Sequence, residues 1–177
     1  MDRTEVSRRR ARRWPGLTSL LPIILGLAAC GLAERKPSLR YEISVSAREL
    51  YEYIDDERVN TYPIAVGKPG HATPRGSFAI HRVDWNPDWT PPDSEWADGE
   101  TYKAPGESGN PMGRARLVFK APYTIHGTSD TGSLGRAASH GSVRVANDVA
   151  LRLARRVMEH GGAGRPESWY QEVIGSP

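Results

Sequence analysis

Alternation of apolar and polar residues is the clearest pattern in the chain, and it first occurs in three closely spaced segments. These are YEISV at residues 41–45, ELYEYI at 49–54 and YPIAVG at 62–67. A period of two puts every second side chain on the same face of an extended strand. Because connections of hairpin length join the three segments, they predict an antiparallel sheet.

Three later segments have the length and composition of strands. They are GSFAIHRV at residues 76–83, RARLVF at 114–119 and YTIH at 123–126. Since six predicted strands dominate the chain, we expect a mainly β domain.

A long connection, residues 84–113, separates the fourth predicted strand from the fifth. It is rich in proline, glycine and aspartate, and it contains Trp85, Trp89 and Trp96. A connection of this length without secondary structure is uncommon in a compact domain unless it is functional or disordered. The three tryptophans favour an ordered lid, and covering an edge of the core is the alternative.

Helical periodicity occurs only near the C-terminus. Within residues 147–162, Val149, Leu153 and Val157 recur at helical spacing after an Asn-Asp capping pair, and two glycines end the run. A second, shorter helix is predicted for residues 165–174, where a proline would occupy the first turn. The domain is therefore expected to carry one or two helices near its C-terminus.

The N-terminus has the organisation of a bacterial export signal. An arginine-rich stretch precedes an apolar run, residues 17–29, whose thirteen residues fall short of the roughly 20 that a membrane-spanning helix needs. Cys30, the only cysteine, closes the sequence LAAC, which resembles the lipobox of bacterial lipoproteins. Lipidation of Cys30 is expected on this interpretation, and ordinary signal-peptidase cleavage near Ala29 is the alternative.

These features predict three regions along the chain. They are a lipoprotein-type signal peptide over residues 1–29, a short polar tether over 30–38 and a folded domain over 39–177. Either route of cleavage exports the domain to the cell envelope, and a lipid on Cys30 would anchor it to a membrane facing the periplasm or the cell wall. Because the folded region contains no cysteine, it can form no internal disulfide and must be stabilised by its core.

The distribution of charge argues against a nucleic-acid partner. The formal net charge is +3, but the first sixteen residues hold six arginines against two acidic residues and contribute +4. The rest of the chain therefore carries a net charge of −1. A folded region with this balance has no electrostatic support for binding nucleic acid.

Two segments, YTIHGT and SHGSVRVAN, contain the residue types of an acyl-transfer centre. Strand periodicity directs His126 to one face of the first segment, and in the second it directs Ser142 and Arg144 to a common face. The small residues between the two segments can turn backbone N–H groups inward, as an oxyanion site requires. A histidine, a hydroxyl and such a loop together can perform acyl transfer.

Each of these residues also has a bland alternative. A histidine at a strand end is often only hydrogen-bonded, a serine after a glycine is often a turn hydroxyl, and Arg144 would by default be a solvated strand residue. His126 and His140 could also bind a metal, but no carboxylate or thiolate stands at a familiar ligand spacing from them. No metal or organic cofactor is expected.

Four elements, in order over about residues 40–160, resemble the YkuD-type L,D-transpeptidases. AVGKPGHATPRGSFAI at 65–80 is similar to the family's strand, T-P-x-G turn and following strand, and APGESGNPMG at 104–113 is similar to its Asn-Pro segment. HGT at 126–128 resembles the segment that holds the family's base histidine. SHGSVRVAN at 139–147 resembles the family signature S-H-G-C-[IV]-R-x-x-N.

The resemblance implies a β-sandwich-like catalytic domain that acts on peptidoglycan without a cofactor. Family members form an acyl-enzyme with a tetrapeptide stem, release D-alanine and pass the acyl group to an amine or, occasionally, to water. By position, His126 would be the general base and Ser142 the nucleophile, with Gly141 and the Ser142 amide as oxyanion donors. The residues expected to support the site are Gly127, Thr128, Ser139, His140, Arg144 and Asn147.

Ser142 stands where the family has its nucleophilic cysteine. A thiol, with a reference pKa of about 8.5, is readily ionised by a histidine, whereas serine enzymes typically hold the base with a carboxylate. Two hypotheses follow. One is an L,D-transpeptidase or carboxypeptidase that works through Ser142, and the other is an inactive, envelope-anchored module that binds peptidoglycan stem peptides.

Overall fold

The computed structural model describes residues 35–175. The predicted signal peptide and Cys30 lie outside the described residues. The strands are β1 (Leu39–Ser44), β2 (Glu49–Ile54), β3 (Glu57–Pro63), β4 (Val66–Gly67), β5 (Arg82–Trp85), β6 (Ala115–Lys120), β7 (Tyr123–Thr128), β8 (Ala137–Ser139) and β9 (Val143–Ala146). The helices are α1 (Asn147–His160) and α2 (Glu167–Gly175). The mainly β class and the two C-terminal helices are thereby confirmed.

The first three strands form an antiparallel sheet in the order β1-β2-β3. Only Asp55 and Asp56 separate β2 from β3, and Asp55 has a φ of 51°, a left-handed conformation that aspartate tolerates in tight hairpins. The third strand therefore begins at Glu57, and the prediction of a strand over 62–67 is wrong at its start. Asp55 and Asp56 alone complete the turn, so the residues that follow them already belong to the strand.

The strands that carry the signature segments belong to a second sheet with the order β5-β6-β7-β9. Strand β7 pairs antiparallel with β6 and parallel with β9. Beyond β9, Ala65 and Arg144 exchange two backbone hydrogen bonds, each with an N–O distance of 2.9 Å. Strand β9 is consequently held by backbone pairing on both of its edges.

The predicted fourth strand over residues 76–83 is wrong for most of its length. Only Arg82–Trp85 forms a strand, β5, which pairs with β6. Upstream of it the chain has irregular structure, although Phe78 packs against Phe119 with a ring-centroid distance of 5.4 Å. Phe78 nevertheless stays 40% exposed, and Ile80 is the partly buried residue of this segment that packs against the core. A side chain can make such contacts without a strand ladder, because they do not require backbone pairing.

The core lies between the strands and α1. Val143 and Val145 of β9 are fully buried, as is Leu153 of α1, whereas Ser142 and Arg144 face the opposite way and line a cavity. The packing of β9 against the core therefore determines which of its side chains reach the cavity.

Between residues 35 and 175, none of the helices has the length and apolarity needed to cross a membrane.

The last residues of the predicted tether contact the domain. Lys36 Nζ donates hydrogen bonds to the carbonyl oxygens of Glu159, at 3.0 Å, and His160 at the end of α1. The Ser38 carbonyl accepts the Asp55 N–H at 2.8 Å. A lysine at this position satisfies terminal helix carbonyls and complements the negative end of the helix dipole.

A buried carboxylate links the first sheet to α1. Glu52 of β2 is fully buried, and its Oε2 accepts hydrogen bonds from Asn60 Nδ2 at 2.7 Å and from the Tyr62 hydroxyl at 3.0 Å. Its Oε1 lies 3.3 Å from Arg156 Nε of α1 in an ion pair. Because a buried charge is costly without partners, this group of side chains fixes the position of the helix against the sheet.

We expect Glu52→Gln to destabilise the domain by about 2–4 kcal/mol, because it removes the buried partner of the partly exposed Arg156 and turns an amide N–H toward the Asn60 and Tyr62 donors. Urea unfolding of the purified domain measures the change. The matched control is Glu42→Gln, whose carboxylate pairs with Arg40 at the surface and should contribute little. Equal losses in the two variants would contradict the assigned role of Glu52.

Candidate active site

One cavity of about 530 Å³ brings together the predicted histidine and serine. His126, Ser139, His140, Ser142 and Arg144 all line it. Strand β7 supplies His126. Ser139 is the last residue of β8, His140 and Ser142 lie between β8 and β9, and Arg144 belongs to β9. The two segments singled out from the sequence therefore meet at one place in the fold.

His126 is buried, with 2% of its surface exposed, and its Nδ1 lies 2.8 Å from the Gly127 carbonyl oxygen. Because a carbonyl only accepts, Nδ1 carries the hydrogen and Nε2 keeps its lone pair. Burial lowers the pKa of His126 to about 4. The charges of Arg144 and Arg116 lower the pKa further, while the carbonyls of Gly127 and Pro111 act against them, so the ring is a neutral base at pH 7.

The turn that carries the nucleophile position, residues 139–142, is fixed by a side-chain hydroxyl. Ser139 Oγ accepts the Gly141 N–H at 3.1 Å and donates to the Ser142 carbonyl at 2.5 Å. Gly141 has a φ of +111°, and a Cβ on it would clash with the Tyr123 ring. Only glycine fits this turn, because the backbone both adopts a left-handed conformation and passes close to an aromatic ring.

Ser142 Oγ accepts a hydrogen bond from the Thr124 N–H at 3.1 Å. Ser142 and His126 both lie within residues 35–175, and no hydrogen bond joins them there. No described carboxylate accepts from His126 Nδ1, since the Gly127 carbonyl takes that place. The serine is thus held by a backbone donor and the histidine by a backbone acceptor.

The two predicted oxyanion donors have different surroundings. The Gly141 N–H already donates to Ser139 Oγ, whereas the Ser142 N–H has no acceptor among residues 35–175. The sequence alone does not distinguish the two donors, because it does not show that the Ser139 hydroxyl accepts the Gly141 N–H. An oxyanion near Ser142 would therefore meet the Ser142 amide as the free donor.

Thr128 and Asn147 lie behind the cavity. Thr128 Oγ1 accepts the Asp130 N–H at 3.1 Å, which shapes the loop after β7. Asn147 Oδ1 accepts the Arg114 N–H at 3.0 Å and fills the space beside Gly127 that a Cβ would otherwise need. Asn147 thereby positions the backbone whose carbonyl orients His126.

An aromatic stack closes one wall of the cavity. Trp96 lies parallel to the His140 ring, with centroids 3.9 Å apart and planes 6° apart, and His71 meets His140 edge-on at 4.7 Å. Burial and the neighbouring charges of Lys68, His71 and Arg144 lower the pKa of His140. The ring at the centre of the stack therefore belongs to a histidine whose surroundings disfavour the protonated, positively charged form.

The segment over residues 84–113 is held in place by specific contacts, and its role as a lid stays a prediction. Trp89 and Lys103 exchange two backbone hydrogen bonds of 2.9 Å. Asn110 Nδ2 donates to the carbonyls of Pro87 and Ala104 at 3.0 and 2.9 Å. Trp89 and Trp96 line the cavity, whereas Trp85 packs against the aromatic rings of α2.

Several cavity residues were not predicted from the sequence. Arg116 lies directly opposite His126 on the neighbouring strand, and Tyr123 lines the cavity although simple alternation puts it on the other face from His126. Tyr123 is the first residue of β7, and the pairing of β6 with β7 is irregular beside it, between Val118 and Lys120. Within the described range, no group of three or more histidine, cysteine, aspartate or glutamate side chains is placed to share a metal ion.

Comparison with known proteins identifies the family. The model of the L,D-transpeptidase catalytic domain, YkuD, matches residues 39–166. The chain is 37% identical over 116 residues to a putative L,D-transpeptidase YkuD of Bacillus licheniformis, covering 65% of this chain and 58% of that protein. It is 34% identical over 114 residues to a probable L,D-transpeptidase, ErfK/SrfK, of Escherichia coli, covering 60% of this chain and 37% of that protein. The chain thus spans less than two thirds of the length of either relative.

Solved structures share the fold at lower identity. An L,D-transpeptidase from Mycobacterium smegmatis superposes with a TM-score of 0.55 at 21% identity, covering 67% of this chain and 54% of that one. A mutant L,D-transpeptidase of Enterococcus faecium superposes with a TM-score of 0.53 at 19% identity, covering 66% and 44%. The structural likeness supports the β-sandwich-like architecture, and the sequence match defines the relationship: the chain belongs to the YkuD family of L,D-transpeptidase catalytic domains.

Proposed function

We propose that the protein transfers acyl groups from peptidoglycan tetrapeptide stems in the cell envelope, through an acyl-enzyme on Ser142 with His126 as the base. The observation that carries this proposal is a neutral His126, oriented by the Gly127 carbonyl, in the same cavity as Ser142. The family membership supports the substrate class. Cross-linking or remodelling of the cell wall follows from this chemistry.

In the first half of the reaction, Ser142 Oγ attacks the carbonyl carbon that joins the diamino acid to D-alanine. The hydroxyl proton moves to His126 Nε2 as the Oγ–carbon bond forms. The Ser142 N–H donates to the resulting oxyanion. As the carbon–nitrogen bond breaks, His126 returns the proton to the leaving amine, and D-alanine departs with an ester left on Ser142.

In the second half, an amine of another stem, or water, attacks the ester carbonyl. His126 takes a proton from the attacking group and gives one to Ser142 Oγ as the ester bond breaks. The amine acceptor yields a cross-link, and water yields a shortened stem. Both outcomes leave His126 neutral and Ser142 protonated, so the site is ready for another cycle.

Several contacts compensate in part for the weak acidity of an alcohol. The Thr124 N–H on Ser142 Oγ stabilises the negative charge that grows on this oxygen during attack. The Gly127 carbonyl stabilises the imidazolium that forms for a moment. Arg116 and Arg144 oppose that charge, so we expect proton pick-up to be slow and proton return to be fast.

A second candidate function is a stem-binding module without turnover. Two observations favour it: within residues 35–175, His126 and Ser142 share no hydrogen bond, and no carboxylate accepts from His126 Nδ1. In that case the cavity would bind stem peptides. The predicted lipid anchor at Cys30 would then tie the membrane to the cell wall, and it would serve the enzyme equally well.

Covalent trapping separates these functions. A carbapenem-like β-lactam should add its mass to the wild-type protein slowly, to Ser142→Cys faster because a thiolate forms more readily, and to Ser142→Ala not at all. Intact-mass spectrometry with peptide mapping measures the adduct. A wild-type protein that stays unmodified while Ser142→Cys reacts would reject the enzyme and support the binding module.

The buried His126 also predicts a dependence of stability on pH. Its pKa is about 4 in the folded protein against 6.5 for the free side chain, so the unfolded chain binds the proton first as pH falls. The contribution to the free energy of unfolding is complete above about pH 6.5 and is lost progressively toward pH 4, by roughly 3 kcal/mol in total.

Urea unfolding between pH 8 and pH 4 measures this loss, with His126→Gln as the variant that should lose much of the slope. His81→Gln removes an exposed histidine and serves as the matched control, which should keep the wild-type slope. If His126→Gln retains the full slope, His126 binds its proton at the same pH in the folded and unfolded chains, and burial does not lower its pKa as this account requires.

A further inference from the structure

The strand register places four polar side chains in one row across the second sheet. Asp84 of β5 lies opposite Arg116 of β6, and Arg116 lies opposite His126 of β7. On the other side of His126, Arg144 of β9 is its partner in the parallel ladder. Because opposite residues project from the same face, two guanidinium groups flank the histidine.

Arg116 has unused hydrogen-bonding capacity. Its Nε donates to Asp84 Oδ2 at 2.8 Å, and the other oxygen of Asp84 lies 3.1 Å from Arg82 Nε. One carboxylate is thus shared by two guanidiniums. The terminal nitrogens of Arg116 contact no acceptor within residues 35–175. The side chain is 21% exposed and lines the cavity, so a ligand in the cavity can reach these nitrogens.

The cavity wall as a whole is cationic. Arg82, Arg116 and Arg144 line it against a single acidic side chain, Asp93. The charge of Arg144 is poorly matched within the protein, since its nearest carboxylate, on Asp130, is 3.9 Å away. A group that lies beside His126 is therefore expected to be anionic, and a planar guanidinium with two free terminal NH2 groups suits a carboxylate.

The direction of proton transfer identifies which carboxylate this is. His126 returns a proton to the leaving amine, so that amine must come within hydrogen-bond reach of the ring. When the leaving group is an α-amino acid, the carbon that bears the amine also bears the carboxylate. That carboxylate must consequently lie beside the histidine, where Arg116 and Arg144 are placed.

We propose that Arg116 is a specificity-determining residue that binds the free carboxylate of the amino acid released from the acyl donor. The inference rests on the proposed function for the identity of the donor. It selects stems that end in a free carboxylate over stems whose terminus is amidated. Arg144 supplies additional positive charge on the other side of the ring, and Asp84 positions Arg116 through its Nε.

Peptide binding tests this assignment without depending on turnover. Ser142→Ala is introduced into every protein, so that no acyl transfer occurs, and calorimetry compares a tetrapeptide ending in D-alanine with the same peptide ending in D-alanine amide. The protein with intact Arg116 should prefer the free carboxylate by about tenfold or more. Arg116→Gln should bring the ratio of affinities close to one, and Arg116→Lys should retain part of it.

Lys120→Gln is the matched control, because it removes one positive charge from the end of the same strand without lining the cavity. It should keep the preference. Equal affinities of the parent protein for the two peptides, no binding of either peptide, or a full preference in Arg116→Gln would overturn the inference. Carboxylate-selective binding with no covalent adduct in the wild-type protein would instead reject only the Ser142 acyl-enzyme.

Discussion

The hydrogen bond between His126 Nδ1 and the Gly127 carbonyl determines what the site can do. It fixes the tautomer, so the lone pair on Nε2 is available toward the cavity. Burial and the two flanking arginines keep the ring uncharged. Asn147 stabilises the same backbone from the start of α1, since its side chain fills the gap beside Gly127. A buried strand thus presents a histidine that is neutral and fixed in orientation.

In this site a backbone carbonyl, that of Gly127, orients the histidine, a task that serine enzymes typically give to a carboxylate. The Thr124 N–H contacts Ser142 Oγ, and Ser139 holds the turn on which Ser142 lies. Both contacts would serve a thiolate equally well, because they stabilise negative charge and position without supplying a proton acceptor. The same geometry is therefore compatible with slow chemistry on a hydroxyl and faster chemistry on a thiol.

The sequence predicted those features that local periodicity encodes. Alternation in SHGSVRVAN placed Val143 and Val145 on one face and Ser142 and Arg144 on the other, and the structure has this arrangement. It failed for Arg116, because strand order and register decide that residue's neighbour and neither is visible in a single strand. The sequence predicts Trp96 as part of an ordered lid or of a cover over an edge of the core, but its stacking on His140 depends on how a long irregular segment folds back.

Single-turnover analysis with a purified disaccharide-tetrapeptide tests the central claim most directly. The reaction is stopped with acid, and intact-mass spectrometry is combined with quantification of free D-alanine. The account predicts an ester on Ser142 equal in mass to the stem without D-alanine, with one D-alanine released per ester formed, and neither product from Ser142→Ala. D-alanine release that persists in Ser142→Ala, or a wild-type protein that binds the stem without forming either product, would contradict it.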